Sequence, residues 1–180
     1  IDVFVAGMGT GGTISGVGRF LKEMNPKIQI VGVDPIGSIL HDYFYSGKMT
    51  EAHSYKVEGV GEDFIPSTYD FDVIDDVVQV TDKESFLMTR RIVREEGMFV
   101  GGSCGFAVAG AVRYAAERDL GPDKMVVVLL PDSGSRYLSK IFDDNWMREN
   151  QFLEGSWMET NVATVLNRKT RHGLVVAHCT

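Results

Sequence analysis

Ile1-Asp2-Val3-Phe4-Val5-Ala6, followed by Gly7-Met8-Gly9-Thr10-Gly11-Gly12-Thr13, is an apolar run of strand length that breaks into a glycine-rich turn. Ile14, Val17, Leu21 and Met24 then recur at helical spacing, with Phe20 beside them, as far as Asn25-Pro26. Proline has no amide hydrogen to give the next turn, so the helix stops there. Residues 28–33 are a second short apolar run, closed by Asp34-Pro35. A strand, a helix and a strand in this order imply parallel pairing, because the helix carries the chain back to the end of the sheet where the first strand began.

Working outward, residues 37–47 read as a short helix and 51–69 mostly as loop. Residues 77–80 are a third strand. Thr81-Asp82-Lys83-Glu84 has the capping-box pattern, and Phe86, Thr89, Ile92 and Val93 form a helical stripe that closes at Gly97. Residues 98–100 lead into a second glycine cluster, Gly101-Gly102-Ser103-Cys104-Gly105, and an alanine-rich helix with Phe106, Ala109, Val112 and Ala116 on one face. Residues 125–130 read as a buried strand ending in Pro131-Asp132-Ser133-Gly134, and 135–142 as helix. The expected fold is α/β, three layers with a mostly parallel twisted sheet flanked by helices. Ligands bind such sheets at the carboxyl ends of the strands. The glycine turns after Ala6, Val100 and Leu130 should therefore converge on one site.

Composition narrows the function classes. Hydrophobic residues make up 44% and charged residues 24% of 180, which excludes disorder as the main state. Eighteen Lys+Arg against twenty-five Asp+Glu give −7, which argues against a nucleic-acid or anionic-membrane surface. No apolar run approaches the roughly 20 residues that cross a bilayer. Two cysteines, Cys104 and Cys179, fit a reducing, cytoplasmic setting, and His41, His53, His172 and His178 lack metal-ligand spacing. Cys104 reads as a small packed residue rather than a nucleophile, and Arg90-Arg91 with Arg94-Glu95-Glu96 as a solvated helix face. The chain opens directly on a buried-strand pattern, so the expectation is a domain incomplete on its N-terminal side. Residues 1–150 would be the C-terminal portion of a catalytic domain, with 151–180 a linker and the start of a further module.

The first turn carries the chemistry. A strand feeding Gly9-Thr10-Gly11-Gly12-Thr13 into a helix presents unpaired N–H groups at the positive end of the helix dipole, with two hydroxyls beside them. That suits a phosphate dianion. Gly7-Met8-Gly9-Thr10-Gly11-Gly12 also matches G-x-G-x-x-G, and Asp34 stands 22 residues after Gly12, as a dinucleotide ribose would require. Spacing alone leaves a nicotinamide or flavin oxidoreductase open. In the second turn, Ser103 is a natural N-cap. Its hydroxyl could instead face a heteroaromatic ring nitrogen and leave it neutral, which would suit β-elimination and β-replacement on pyridoxal phosphate.

Taken together, Val5-Ala6-Gly7-Met8-Gly9-Thr10-Gly11-Gly12-Thr13-Ile14, Val33-Asp34-Pro35-Ile36-Gly37-Ser38-Ile39-Leu40, Glu58-Gly59-Val60-Gly61-Glu62-Asp63-Phe64-Ile65-Pro66, Gly101-Gly102-Ser103-Cys104-Gly105 and Leu130-Pro131-Asp132-Ser133-Gly134 resemble the fold-type II pyridoxal-phosphate enzymes. The resemblance is to the cysteine synthase and cystathionine β-synthase group, whose fold is that of the tryptophan synthase β chain. The 33–40 stretch, Glu62-Asp63-Phe64 and Lys140-Ile141-Phe142-Asp143-Asp144-Asn145-Trp146-Met147 are similar to the cystathionine β-synthase branch. The resemblance implies that Gly9, Thr10, Gly11, Gly12 and Thr13 hold the phosphate of pyridoxal 5′-phosphate and that Ser103 contacts its ring nitrogen. It places Gly59, Val60 and Gly61 beside the amino-acid substrate, with Asp132 and Ser133 nearby. The implied reaction is a β-replacement that condenses serine with homocysteine to cystathionine in transsulfuration, with cysteine synthase, which joins O-acetylserine and sulfide, as the alternative. A homodimer and S-adenosylmethionine control through a downstream module follow from the same resemblance, residues 160–180 being similar to the entry into such modules.

The resemblance implies that the family's Schiff-base lysine, in a Ser-x-Lys-like context, precedes the phosphate turn; Ser46-Gly47-Lys48 and Ser54-Tyr55-Lys56 both follow it, so the expectation is that these 180 residues supply no catalytic lysine. Lys22, Lys27, Lys48, Lys56, Lys83, Lys124, Lys140 and Lys169 fall in polar or helical contexts. The 180-residue chain mixed with pyridoxal phosphate is therefore expected to lack the visible absorbance of a protonated Schiff base. Appearance of that band would contradict the reading.

Overall fold

A computed structural model of the chain describes residues 1–153 and the strand at 175–178. Five strands, β1 (Val3–Gly7), β2 (Gln29–Pro35), β3 (Asp76–Val80), β4 (Val126–Leu130) and β5 (Val175–His178), form one sheet in the order β3-β2-β1-β4-β5. Every pairing is parallel, with Val5 in register with Val31 on one side and Val128 on the other. The helices are α1 (Gly12–Met24), α2 (Leu40–Ser46), α3 (Asp82–Glu96), α4 (Gly102–Glu117) and α5 (Asp144–Glu149).

Side chains alternate along each strand, so the sheet has two apolar faces and needs cover on both. Val3, Val5, Val31, Val33, Val78, Val80, Val128 and Leu130 point to one face, with α4 on it and α3 packed against α4. Phe4, Ala6, Met8, Ile30 and Val77 point to the other and meet Ile14 of α1 and Leu40 of α2. This is the three-layer α/β architecture expected from the sequence. The chain leaves β1 toward β2 on one side and, after β3, returns to β4 on the other side of β1. The connections part at the carboxyl ends of β1 and β4, the place where sheets of this kind form a crevice for ligands.

Local signals explain the helix ends. Thr81 is the N-cap of α3: its hydroxyl accepts from the Glu84 amide, while the Glu84 carboxylate accepts from the Thr81 amide at 2.9 Å. Gly97, at φ 71°, ends that helix. α3 and α4 meet along small residues. The Ser85 hydroxyl donates to the Gly102 carbonyl at 2.9 Å, and the Thr89 hydroxyl donates to the Ser85 carbonyl at 2.9 Å and to Gly101 at 3.3 Å.

Several expectations change. β2 continues through Asp34 and Pro35, which stay in register with Gln79 and Val80. Residues 98–100 are not a strand of the sheet: Val100 makes one antiparallel bridge to Ser133, which pins the second glycine turn to the third. On α4 the buried face is Phe106, Ala107, Gly110, Ala111 and Tyr114, while Val112 is exposed. Gly110 lies against Val33 of the sheet, so close packing of small residues, rather than the most apolar stripe, orients this helix. β4 is half covered on the face of Val127 and Leu129, because α1 lies over β1 and β2 and α2 lies over β3. Residues 135–142 form a 3₁₀ turn at Gly134–Tyr137 and further turns rather than one helix. Arg90 is not solvated: Nε donates to the Ile141 carbonyl at 2.5 Å and Nη1 to Asp144 at 2.6 Å, tying α3 to the start of α5. Met147 is fully buried, and Trp146 and Phe152 pack edge-on against Phe86. Outside the described residues lie 154–174, 179 and 180, so the reading of 160–180 as a module entry has only β5 within view.

Two glycine substitutions should have opposite signs. A methyl at Gly105 collides with the Thr89 hydroxyl and backbone inside the α3–α4 seam, whereas one at Gly16, on the outer face of α1, meets nothing within 4 Å. Gly105→Ala should destabilise by about 1–3 kcal/mol and Gly16→Ala should stabilise by about 0.5–1 kcal/mol, as read from urea unfolding midpoints.

Candidate active site

The chain between β1 and α1 turns so tightly that its amides find no partner. Met8 still donates to Val33 of β2 at 2.8 Å, and the first helical bond runs from Ser15 to Gly11 at 3.0 Å. Between them, the amides of Gly9, Thr10, Gly11, Gly12 and Thr13 donate to no acceptor among the described residues. Gly11 caps α1 at φ 84°, a left-handed conformation that disfavours any side chain. The space a side chain would take there is filled by the Tyr69 ring, 2.6 Å from the position of a Cβ.

Gly59-Val60-Gly61 closes over this turn. The Gly61 amide donates to the Met8 carbonyl at 2.6 Å, and the Gly59 carbonyl lies 3.0 Å from where a Cβ on Gly9 would be. Val60 sits above Gly7, whose other neighbour is Phe106 in the first turns of α4. Through Val60, Gly7 and Phe106 the first turn, the 59–61 loop and the start of α4 are in mutual contact. Of the three glycine turns expected to converge, the second is joined to the third by the Val100–Ser133 bridge, and α4, which follows the second, reaches Gly7 through Phe106.

Ser103 is not the N-cap of α4. Gly101 holds the extended capping conformation, and Ser103 lies within the first helical turn. No side chain caps α4; the Ser85 and Thr89 hydroxyls of α3 instead donate to the Gly102 and Gly101 carbonyls at its start. The Ser103 hydroxyl, nearly buried, makes no hydrogen bond among the described residues. The carboxylate in the neighbouring turn is committed elsewhere: Asp132 accepts from the Tyr137 hydroxyl at 2.7 Å and has the Cys104 sulfur at 3.4 Å. Burial pushes the Cys104 thiol up to about 11, so it is neutral at physiological pH and no nucleophile. At the side of Gly102, a cleft lined by Phe86, Tyr137, Ile141 and Trp146 has the Lys140–Glu58 ion pair, 2.5 Å, at its rim.

Asp34 occupies a different role from the ribose contact its spacing allowed. It is fully buried, and its Oδ2 accepts from the His41 amide at 2.9 Å, fastening α2 to β2. Oδ1 has no partner. A carboxylate sealed in this way cannot reach a bound ribose. His41 itself pairs with Asp42 at 2.9 Å, and no His/Cys/Asp/Glu group among the described residues could hold a metal.

Five free amides on a glycine turn and an unengaged hydroxyl in the first turn of α4 are donors that fit a phosphorylated heteroaromatic cofactor. Two further groups on this turn, the Tyr69 hydroxyl donating to the Gly9 carbonyl at 2.7 Å and the Thr68 hydroxyl donating to the Thr10 carbonyl, had no signal in the sequence.

Burial pushes the Asp34 carboxyl up to about 6 from its ordinary 3.8. Its folded value is raised, so its contribution to stability is fully present below the unfolded value and is lost as pH rises through about 6. Asp34→Asn keeps an acceptor for His41 without the charge. It should be near neutral for stability at pH 4 and stabilising by about 2 kcal/mol at pH 7.5, read from unfolding midpoints across that range.

Comparison with known proteins identifies the family. Residues 1–132 match the family described as pyridoxal-phosphate dependent enzyme. Cystathionine beta-synthase of Oryctolagus cuniculus is 48% identical over 154 residues, covering 86% of this chain and 27% of that protein. Cystathionine beta-synthase of Saccharomyces cerevisiae is 47% identical over 151 residues (83% and 30%), and that of Apis mellifera 46% over 154 (86% and 30%). The chain thus spans less than a third of the length of these relatives. No helix among the described residues is long and apolar enough to cross a membrane. With the family match over 1–132, the chain belongs to the pyridoxal-phosphate dependent enzymes.

Proposed function

We propose that the full-length protein carries out a β-replacement, condensing serine with homocysteine to give cystathionine and water. A carbon–oxygen bond of serine breaks, a carbon–sulfur bond forms, and the thiol proton leaves with the hydroxyl as water. Support comes from the relatives named cystathionine beta-synthase and, in this chain, from the free hydroxyl of Ser103. When bound, pyridoxal phosphate supplies the electron sink that acidifies the α-proton of an amino acid and lets a β-substituent depart.

In this reading the amides of residues 9–13, with the Thr10 and Thr13 hydroxyls, hold the phosphate. The Ser103 hydroxyl donates to the ring nitrogen without charging it. That choice matters chemically: a hydroxyl leaves the nitrogen neutral and the sink shallow, which favours loss of a β-group over deeper charge delocalisation. Gly59, Val60 and Gly61, lying on the loop that covers Gly7 and Gly9, border the amino-acid substrate and exclude water from the reacting carbon. The Schiff-base lysine lies outside these 180 residues. The same reading makes the enzyme a cytoplasmic homodimer regulated through S-adenosylmethionine.

Two measurements on the full-length enzyme test this. Serine plus homocysteine should yield cystathionine faster than O-acetylserine plus sulfide yields cysteine; the reverse preference identifies a cysteine synthase. Ser103→Ala should lower kcat/KM about tenfold, the worth of one hydrogen bond at its upper range, and Ser103→Asp more, because a carboxylate keeps the nitrogen protonated. Unchanged rates in both variants would remove Ser103 from the site.

A further inference from the structure

Each amide that would face the phosphate belongs to a planar trans peptide, in which N–H and C=O point in opposite directions. The direction of the Thr10 amide is therefore set by the Gly9 carbonyl, and that of the Gly11 amide by the Thr10 carbonyl. Both carbonyls are held from outside the turn. The Tyr69 hydroxyl donates to Gly9 O at 2.7 Å, and the Thr68 hydroxyl donates to Thr10 O. Glycines at 9 and 11 let this turn approach an anion, but they also let its peptides flip at little cost. A flipped peptide would present a carbonyl oxygen to the dianion in place of a donor.

The 68–70 segment is itself fastened to the helix the turn feeds. The Asp70 amide donates to the Ser15 hydroxyl at 3.0 Å, and the Asp70 carboxylate pairs with Arg19 at 2.7 Å. The Tyr69 ring stacks on Phe71, with centroids 4.8 Å apart and planes 8° apart, and covers Gly11 on its other contact. Burial raises the Tyr69 phenol well above its ordinary range, so it stays a donor throughout the physiological range.

We propose that Thr68 and Tyr69 are positioning residues for the cofactor phosphate: by fixing the Gly9 and Thr10 carbonyls outward, they aim the Thr10 and Gly11 amides at it. The inference rests on the reading that residues 9–13 hold that phosphate. The clamp acts on the turn and not on the reacting atoms, so its effect falls on cofactor retention and on the phosphate's surroundings.

The test uses the full-length enzyme with Tyr69→Phe, which keeps the ring over Gly11, Thr68→Val, which keeps the volume at an exposed site, and both together. Cofactor affinity is read by fluorescence titration of the apoenzyme with pyridoxal phosphate, and the phosphate itself by ³¹P NMR of the holoenzyme. Each single variant should weaken retention about 3- to 10-fold and shift the ³¹P resonance toward that of free cofactor. The double variant should combine the losses, and Thr68→Ser should restore retention at that position. Wild-type retention and an unmoved ³¹P resonance in both single variants overturn the proposal, as does a loss of apoenzyme melting temperature without any ³¹P change. Gly11→Ala and Thr13→Val separate the two levels. If these also leave the ³¹P signal and retention untouched, the phosphate lies elsewhere and the underlying reading fails; if they act while the clamp variants do not, the clamp alone is wrong.

Discussion

Between Met8, whose amide still bonds Val33 of β2, and Ile14 in the first turn of α1, the peptide N–H groups have left the sheet ladder and have not yet met helical acceptors. Unpaired amides within a fold carry a free-energy penalty unless something accepts from them. Here they gather at the positive end of a thirteen-residue helix, so the acceptor they favour is an anion. The rest of the site is arranged around that turn. The 59–61 loop lies across it, the start of α4 touches it through Phe106, and the 68–70 segment braces it from behind.

The parallel sheet makes this possible, because it sends the carboxyl ends of β1 and β4 to the same edge while their following connections diverge. Rigidity comes from apolar cover on both faces, each fully buried Val, Leu or Phe contributing about 1.5–3 kcal/mol. Exposed ion pairs such as Arg91–Glu95 contribute about 0.2–1 kcal/mol and decide little. Arg90 differs because it is mostly buried and bonded to a carbonyl as well as a carboxylate, which fixes where the chain passes from α3 toward α5.

Polar groups near the crevice divide into engaged and free. Asp132 is taken by Tyr137 and approached by Cys104, whose thiol burial keeps neutral. Asp34 is taken by α2. The Ser103 hydroxyl makes no hydrogen bond among the described residues. In the proposed reaction, the neutral partner for a ring nitrogen thus depends as much on where the carboxylates are tied up as on the serine itself.

Much of this was legible in the sequence. The strand-turn-helix of 1–24, the capping box at Thr81 and Glu84, the stop at Gly97 and the glycine turns all follow from short-range rules, since each needs only residues within about one helical turn of one another. The three-layer parallel architecture followed from the order of those elements. What the sequence could not supply were contacts between distant segments: Tyr69 on Gly9, Asp34 beneath His41, Arg90 on Ile141, and the antiparallel bridge from Val100 to Ser133. None leaves a periodic trace, because a single hydrogen bond or one close approach fixes each. The face that α4 buries escapes hydropathy for the same reason: hydropathy marks Val112, but the close approaches to Thr89 and Val33 require glycine at 105 and 110, and these set the rotation of the helix. Local chemistry therefore determined that a glycine turn of unpaired amides exists, whereas tertiary packing decided which way its peptides face, since a planar peptide is aimed by whatever grips its other side.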